Sequence, residues 1–302
     1  MRLHHLMRAL CATGLVWAAT AQAQFVTPGS NLVVDGIPPI EEALAAKVAA
    51  YTDFKPTAIV AWHPAKAGML IRRRAGNANQ LHFLASPGAE PQQITDFPDA
   101  VGGATFQPKK GEYILFTKSA GGDEVFRIYR MDLATKVVTP VSDEKERAAA
   151  PAWNRKGDRI VYATVGVDRN SSARKAVTKI YLADPLQPAD SRVLVTLDGG
   201  GWGGFRFSPD DKRLVFQEYV SANEGHIWMM DLASGEKKRV TPAADGKEKV
   251  FYGSARFAKD GKSLYAVSDR GSEFRQLILI DLASGKEKVL TGYIQANIDD
   301  TV

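Results

Sequence analysis

The chain has 302 residues, 45% of them hydrophobic and 24% charged, and its 39 Lys and Arg against 34 Asp and Glu give a formal charge of +5. That balance belongs to a packed globular protein and excludes a disordered one; the length allows one large domain or two ordinary ones. The single cysteine, Cys11, excludes a disulfide scaffold and, once a leader is removed, a cysteine zinc site or a cysteine nucleophile.

Residues 1–23 read as a secretory signal peptide. Arg2 and Arg8 make a basic start, Ala9 to Ala19 is apolar apart from Thr13 and Gly14, and Ala21-Gln22-Ala23 is a small-x-small cleavage site. The apolar run is shorter than the roughly 20 residues a bilayer requires, and no later segment offers a membrane span. Cleavage after Ala23 removes both arginines and leaves +3, too weak a charge to imply nucleic-acid binding. The expected location is periplasmic or secreted.

Residues 24–54 form an N-terminal extension. Pro28-Gly29-Ser30, Asp35-Gly36 and Pro38-Pro39 punctuate its start. A short helix then runs from Ile40 to about Tyr51, with Ile40, Leu44, Val48 and Tyr51 on one face and Glu41 and Glu42 in the first turn.

Residues 55–302 repeat. Phe106-Gln107-Pro108-Lys109-Lys110-Gly111 leads into Tyr113-Ile114-Leu115-Phe116, and Trp153-Asn154-Arg155-Lys156-Gly157 into Ile160-Val161-Tyr162. Phe207-Ser208-Pro209-Asp210-Asp211 leads into Leu214-Val215-Phe216, and Phe257-Ala258-Lys259-Asp260-Gly261 into Leu264-Tyr265-Ala266. Trp62-His63-Pro64 is a looser fifth copy. The aromatic anchors are 44, 47, 54 and 50 residues apart. A second phrase follows most copies: Met131-Asp132-Leu133-Ala134-Thr135, Met230-Asp231-Leu232-Ala233-Ser234-Gly235 and Ile280-Asp281-Leu282-Ala283-Ser284-Gly285. In each, Asp bonds its own backbone in a turn and Gly, where present, supplies positive φ. A period of about 40–50 residues with about four strands per unit predicts an all-β fold, a β-propeller. A β-sandwich would give turn signals without a repeated phrase. Units begin near Thr57, Asp99, Arg147, Gly199 and Lys247, so about five blades are present. A sixth barely starts at Ile294–Asp300, and the ring is expected to be incomplete.

The repeat resembles the WD40-like or TolB-type propeller unit; no Trp-Asp pair closes the blades. Longer stretches resemble the N-terminal propeller of prolyl oligopeptidase-family serine peptidases, the dipeptidyl-peptidase-like and acylaminoacyl-peptidase-like enzymes. These are Asp35-Gly36-Ile37-Pro38-Pro39-Ile40, Trp62-His63-Pro64, Gly76-Asn77, Gly199 to Gly204 around Trp202, and Ser268-Asp269-Arg270-Gly271-Ser272-Glu273-Phe274-Arg275. The resemblance implies a propeller that covers an α/β-hydrolase domain carrying Ser, Asp and His. No serine here stands in a Gly-x-Ser-x-Gly elbow. His63, His82 and His226 fall inside blade segments and read as structural. No catalytic residue, metal site or cofactor is therefore assigned, and the hydrolase half is expected to be absent.

Other motifs reduce to structure. Gly199 to Gly204 lacks the Gly-Lys-Ser/Thr of a phosphate loop and reads as a blade connection with close backbone packing. Arg72-Arg73-Arg74 reads as a solvated strand end, and the turn aspartates lack calcium-loop spacing. Asp269, Arg270, Glu273 and Arg275 remain as the candidate substrate-facing cluster: the resemblance implies propeller loops facing the hydrolase cavity, where a carboxylate would take a peptide amino terminus and an arginine a carbonyl or carboxylate. Set against this is a solvated hairpin with a weak Glu–Arg pair. Two functions follow. The first is the propeller portion of a secreted or periplasmic serine peptidase, gating peptide access and inactive alone. The alternative is a free-standing TolB-like periplasmic propeller that binds or scaffolds a protein partner.

Overall fold

The computed structural model describes residues 24–149, 151–166, 176–242 and 249–301; the expected signal peptide lies outside them. The chain divides into two compact units, residues 1–55 and 56–302. In the first, Phe25 bridges Glu41, with Val26 N donating to Ile40 O at 2.9 Å. Helix α1 (Glu42–Thr52) follows, starting two residues later than its apolar spacing suggests because Glu41 is extended. Leu44, Val48 and Tyr51 share the expected face, but none of the helix's residues is buried.

The second unit is a succession of antiparallel sheets. Sheet 1 holds β1 (Thr57–Trp62), β2 (Met69–Ala75), β3 (Ala78–Leu84) and β4 (Gln92–Gln93). Sheet 2 holds β5 (Val101–Phe106), β6 (Tyr113–Lys118), β7 (Arg127–Asp132) and β8 (Val138–Pro140). Sheet 3 holds β9 (Glu146–Ala148), β10 (Ala152–Trp153), β11 (Ile160–Gly166), β12 (Val177–Asp184) and β13 (Gln187–Asp198). Sheet 4 holds β14 (Trp202–Phe207), β15 (Arg213–Ser221), β16 (Glu224–Asp231) and β17 (Lys237–Arg239). Sheet 5 holds β18 (Tyr252–Phe257), β19 (Ser263–Ser268), β20 (Gln276–Asp281) and β21 (Glu287–Val289). Strands are ordered as they occur in the chain, so each sheet is a meander and one expected blade.

Sheet 3 has a fifth strand for a local reason. Both β9 and β10 pair with β11, and together they make one first strand. Across the gap the register advances by one residue, from Ala148↔Thr164 to Ala152↔Val161. The same single extra residue bulges β5, β14 and β18, between Val101 and Ala104, Gly203 and Arg206, and Gly253 and Arg256. A bulge bends and twists its strand. It also breaks the alternation of side chains, so core positions fall five, two and zero residues before the aromatic anchor: Val101, Ala104, Phe106; Trp202, Phe205, Phe207; Tyr252, Ala255, Phe257.

The cores lie between sheets. Ile114 and Phe116 pack toward Leu70 and Leu81 of sheet 1, while Tyr113 and Leu115 of the same strand pack toward Ile160 and Tyr162 of sheet 3. Likewise Leu214 and Phe216 join Val161 and Ile180, and Val215 joins Leu264 and Ile278. A strand buried on both faces must be apolar throughout, which explains the continuous runs after each turn. Burying one such Leu, Ile or Phe is worth about 1.5–3 kcal/mol, so four such cores outweigh the turn hydrogen bonds at about 1 kcal/mol each. Those turns still tie each sheet to the next. Arg155 N and Lys156 N donate to Asp211 Oδ1 and Oδ2 at 2.7 and 3.1 Å, and Arg213 Nη2 donates to Gly261 O at 2.7 Å. Among the described residues no core joins sheet 5 to sheet 1; Trp62 on sheet 1 is 66% exposed, and Tyr265 on sheet 5 is 39% exposed.

Candidate functional site

The loop between β19 and β20 carries Asp269, Arg270, Glu273 and Arg275, and three of the four are held by protein. Asp269 Oδ1 accepts Phe251 N at 2.8 Å. Arg270 Nη1 donates to Glu287 Oε2 at 3.1 Å and approaches Tyr252 OH at 3.5 Å. Tyr252 in turn donates to Glu287 Oε1 at 2.9 Å, and burial, then Glu287, pushes its phenol up to about 12. Arg275 stacks 4.0 Å over Phe251 and donates through Nη2 to Ala222 O at 2.8 Å. Glu273 is exposed and makes no hydrogen bond or ion pair with the described residues. Of the cluster, it alone makes no such contact with the described residues.

The other motifs resolve locally. A Cβ on Gly201 would collide with the Tyr219 carbonyl oxygen, and Tyr219 N donates to Gly201 O at 2.8 Å; the glycine run is a close backbone approach. His63 Nδ1 accepts Ala65 N at 3.1 Å, His82 Nδ1 lies 3.3 Å from Gln80 O, and His226 Nδ1 lies 2.9 Å from Arg239 Nη2. All five sheets are antiparallel and α1 is the one helix among the described residues. The parallel, helix-flanked sheet of a nucleophile elbow is not found among them.

A second gathering of charge lies where the first strands of sheets 3, 4 and 5 approach one another. β10 contacts β14, and β14 contacts β18. Their ends and the turns beyond them, with Tyr265, Leu277, Asp300 and Thr301, line an open cavity of about 820 Å³. Arg206 and Arg256 line it. Each immediately precedes its aromatic anchor and pairs across to the next strand, Arg206 with Val215 and Arg256 with Tyr265. The anchor faces a core, so the residue before it faces the other way. Arg206 Nη1 donates to Phe205 O at 2.8 Å, and Arg256 Nε donates to Thr301 Oγ1 at 3.2 Å. Neither makes an ion pair with a described residue. Burial, and after it the charge of Arg256, pulls the Arg206 guanidinium below its ordinary range, against the pull of Asp300. Trp153, whose indole N–H is buried without a partner among the described residues, also lines the cavity. None of the loop cluster does. Reading the sequence for dense charge passes over these arginines because they lie one per repeat. Their signal is positional: the same residue directly before the anchor in two consecutive units.

Meandering sheets packed face to face, with first strands converging on a cavity, define a β-propeller made of four-stranded blades. The chain belongs to the prolyl oligopeptidase N-terminal β-propeller domain family, whose model matches residues 99–302. The match begins just before β5 and takes in sheets 2 to 5; sheet 1 shares their topology outside it. The chain is 25% identical over 203 residues to dipeptidyl aminopeptidase BIII of Pseudoxanthomonas mexicana, covering 66% of this chain and 27% of that enzyme. It therefore spans about a quarter of that relative's length. Among solved structures it is similar to a prolyl endopeptidase, with TM-score 0.65, 14% identity, and coverage of 82% of this chain and 38% of the other. It is also similar to an Agrobacterium tumefaciens protein assigned as TolB, with TM-score 0.52, 16% identity, and coverage of 78% and 80%. At such identities the structural likeness establishes the fold.

Proposed function

We propose that this chain is the propeller portion of a secreted or periplasmic serine peptidase, with residues 1–23 as its leader, 24–54 as a helix-bearing extension and 55–302 as propeller. In this reading the propeller restricts access to short peptides, and a separate α/β-hydrolase domain performs the acyl transfer. The family match over residues 99–302 carries the reading, and the likeness to a dipeptidyl aminopeptidase supports it. Glu273, the free carboxylate of the β19–β20 loop, is the member of the cluster suited to a peptide amino terminus. The test is a fluorophosphonate probe applied to extracts of the native cells, followed by capture with an antibody against this propeller. A labelled serine hydrolase should carry the propeller or be captured with it. Captured propeller with no labelled serine hydrolase would refute the reading.

A second reading, a free-standing TolB-like binding module with a protein partner, is favoured by one observation. The Agrobacterium tumefaciens protein is matched over 80% of its own length, against 38% for the prolyl endopeptidase. Capture of an unlabelled propeller in a stable complex with one partner would support it.

A further inference from the structure

We propose that Arg206 and Arg256 form the anion-binding end of a peptide subsite, taking the free α-carboxylate of a short peptide whose apolar side chain rests on the cavity's aromatic wall. The inference rests on the reading that the propeller handles peptides, and deepens it by naming the group recognised.

Among the described residues several arginines, Arg130, Arg213 and Arg275 among them, donate to backbone carbonyls without an ion pair, and three are neutralised by a carboxylate. Arg127 pairs with Asp123 at 2.9 Å, Arg159 with Asp184 at 2.5 Å, and Arg270 with Glu287 at 3.1 Å. Arg206 and Arg256 are both partly buried, stand in adjacent sheets at the same register, and have no such counter-ion. Each guanidinium and its Nε offer five N–H donors, and one in each residue is engaged by a described residue. Two like charges drawn together out of water are unfavourable unless an anion joins them. The fold does not require them, since the corresponding residues are Thr105 in β5 and Ala152 in β10. The rim adds Arg155 and Lys259, against the single lining carboxylate of Asp300, whose Oδ1 accepts Thr301 N at 2.7 Å.

The shape of the site selects the ligand. Planar guanidinium forks match a carboxylate in bidentate fashion. Trp153, Tyr265 and Leu277 supply apolar surface beside them, as a peptide side chain needs and inorganic phosphate does not. The lining has no helix N-terminus, the usual source of backbone donors for phosphate.

Isothermal titration of the 302-residue chain tests the proposal with three probes: Ala-Ala-Phe as the free acid, Ala-Ala-Phe amide, and inorganic phosphate. The free acid should bind at least tenfold tighter than either of the others. Arg206→Gln and Arg256→Gln should each weaken it at least tenfold, with Arg206→Lys intermediate, and circular dichroism checks that each variant is folded. If Arg206→Gln does not fold, Arg256→Gln and the acid–amide comparison on the unsubstituted chain still decide. Equal binding of acid and amide, or binding that survives both Gln substitutions, overturns the arginine site while leaving peptide handling intact. Phosphate binding tighter than the acid overturns the peptide assignment. Binding of no probe overturns this inference and counts against the gating role as well.

Discussion

Lys136 has φ 61°, in the position where the sister turns carry Gly235 at 74° and Gly285 at 69°. A side chain in that left-handed region costs about 1 kcal/mol or more. Lys136→Gly is therefore expected to stabilise the protein by about 0.5–1 kcal/mol in urea unfolding, after the entropy a glycine adds to the unfolded chain. Asp211, with φ 59°, looks like the same case and should behave oppositely. Its carboxylate holds two backbone N–H groups of the preceding blade, so Asp211→Gly is expected to destabilise by about 1–2 kcal/mol. The turn aspartates set the acid limit. Hydrogen bonds, foremost from Thr135 to Asp132, Ser234 to Asp231 and Ser284 to Asp281, hold these carboxyls below the usual range. Asp123 is held down to about 2, foremost by Arg127. Their folded-state values lie below the unfolded ones, so their stabilisation is complete above about pH 4. It is lost as pH falls toward 2. Thermal melts should show a steep loss of Tm over that window and a shallower one in Asp231→Asn.

At the scale of the element, a hydroxyl recurs just past the last strand of four sheets. Thr95, Ser142, Thr241 and Thr291 accept the N–H of Leu81, Ile128, Ile227 and Leu277 at 2.8, 2.9, 3.3 and 2.9 Å. Thr95 is buried and also donates to Gln80 Oε1 at 2.8 Å. Thr95→Val should strand both groups and cost about 2–3 kcal/mol in urea unfolding; Thr241→Val, whose hydroxyl accepts only the long bonds from Ile227 N at 3.3 Å and Arg239 Nε at 3.4 Å, should cost less. The anchors, the turn aspartates and the apolar second strands of the blades were legible in the sequence, because each repeats as a contiguous phrase with its own local physics. The bulges were not legible as strand register, since Gly102-Gly103 and Gly203-Gly204 read equally well as a loop and the other two carry no glycine pair. Nor were Arg206 and Arg256 legible as a pair: their meaning depends on two strands converging, which neither strand records. Asp269, Arg270 and Arg275 were conspicuous as charge, but their partners Phe251, Glu287 and Ala222 lie 17 to 53 residues away.

For the whole molecule, nearest-neighbour packing predicts a gradient of local stability. Sheets 2, 3 and 4 have a core on each side, whereas sheets 1 and 5 have one each among the described residues. Solenoid-like arrays are most stable where both neighbours are present. Hydrogen exchange on the 302-residue chain should therefore be slowest around Ile160 and Leu214 and faster toward Leu70 and Leu277. Uniform protection across all five sheets would show instead that sheets 1 and 5 cover each other in solution.

The spare residue in each first strand also acts as a phase shift. Before it, Trp202 points into the core; after it, Phe205 and Phe207 do, and Arg206 points away. Without the bulge the same sequence would alternate strictly, and one half of the strand would have to turn over: either Trp202 would leave its core or Arg206 would enter one. Deleting Gly203 or Gly204 instead restores strict alternation with Trp202, Phe205 and Phe207 on one face and Arg206 on the other, so that such a deletion spares the pattern and costs the strand the bend and twist of its bulge. The position of an arginine in the cavity is thus set by the parity of a two-residue interval as much as by the arginine itself.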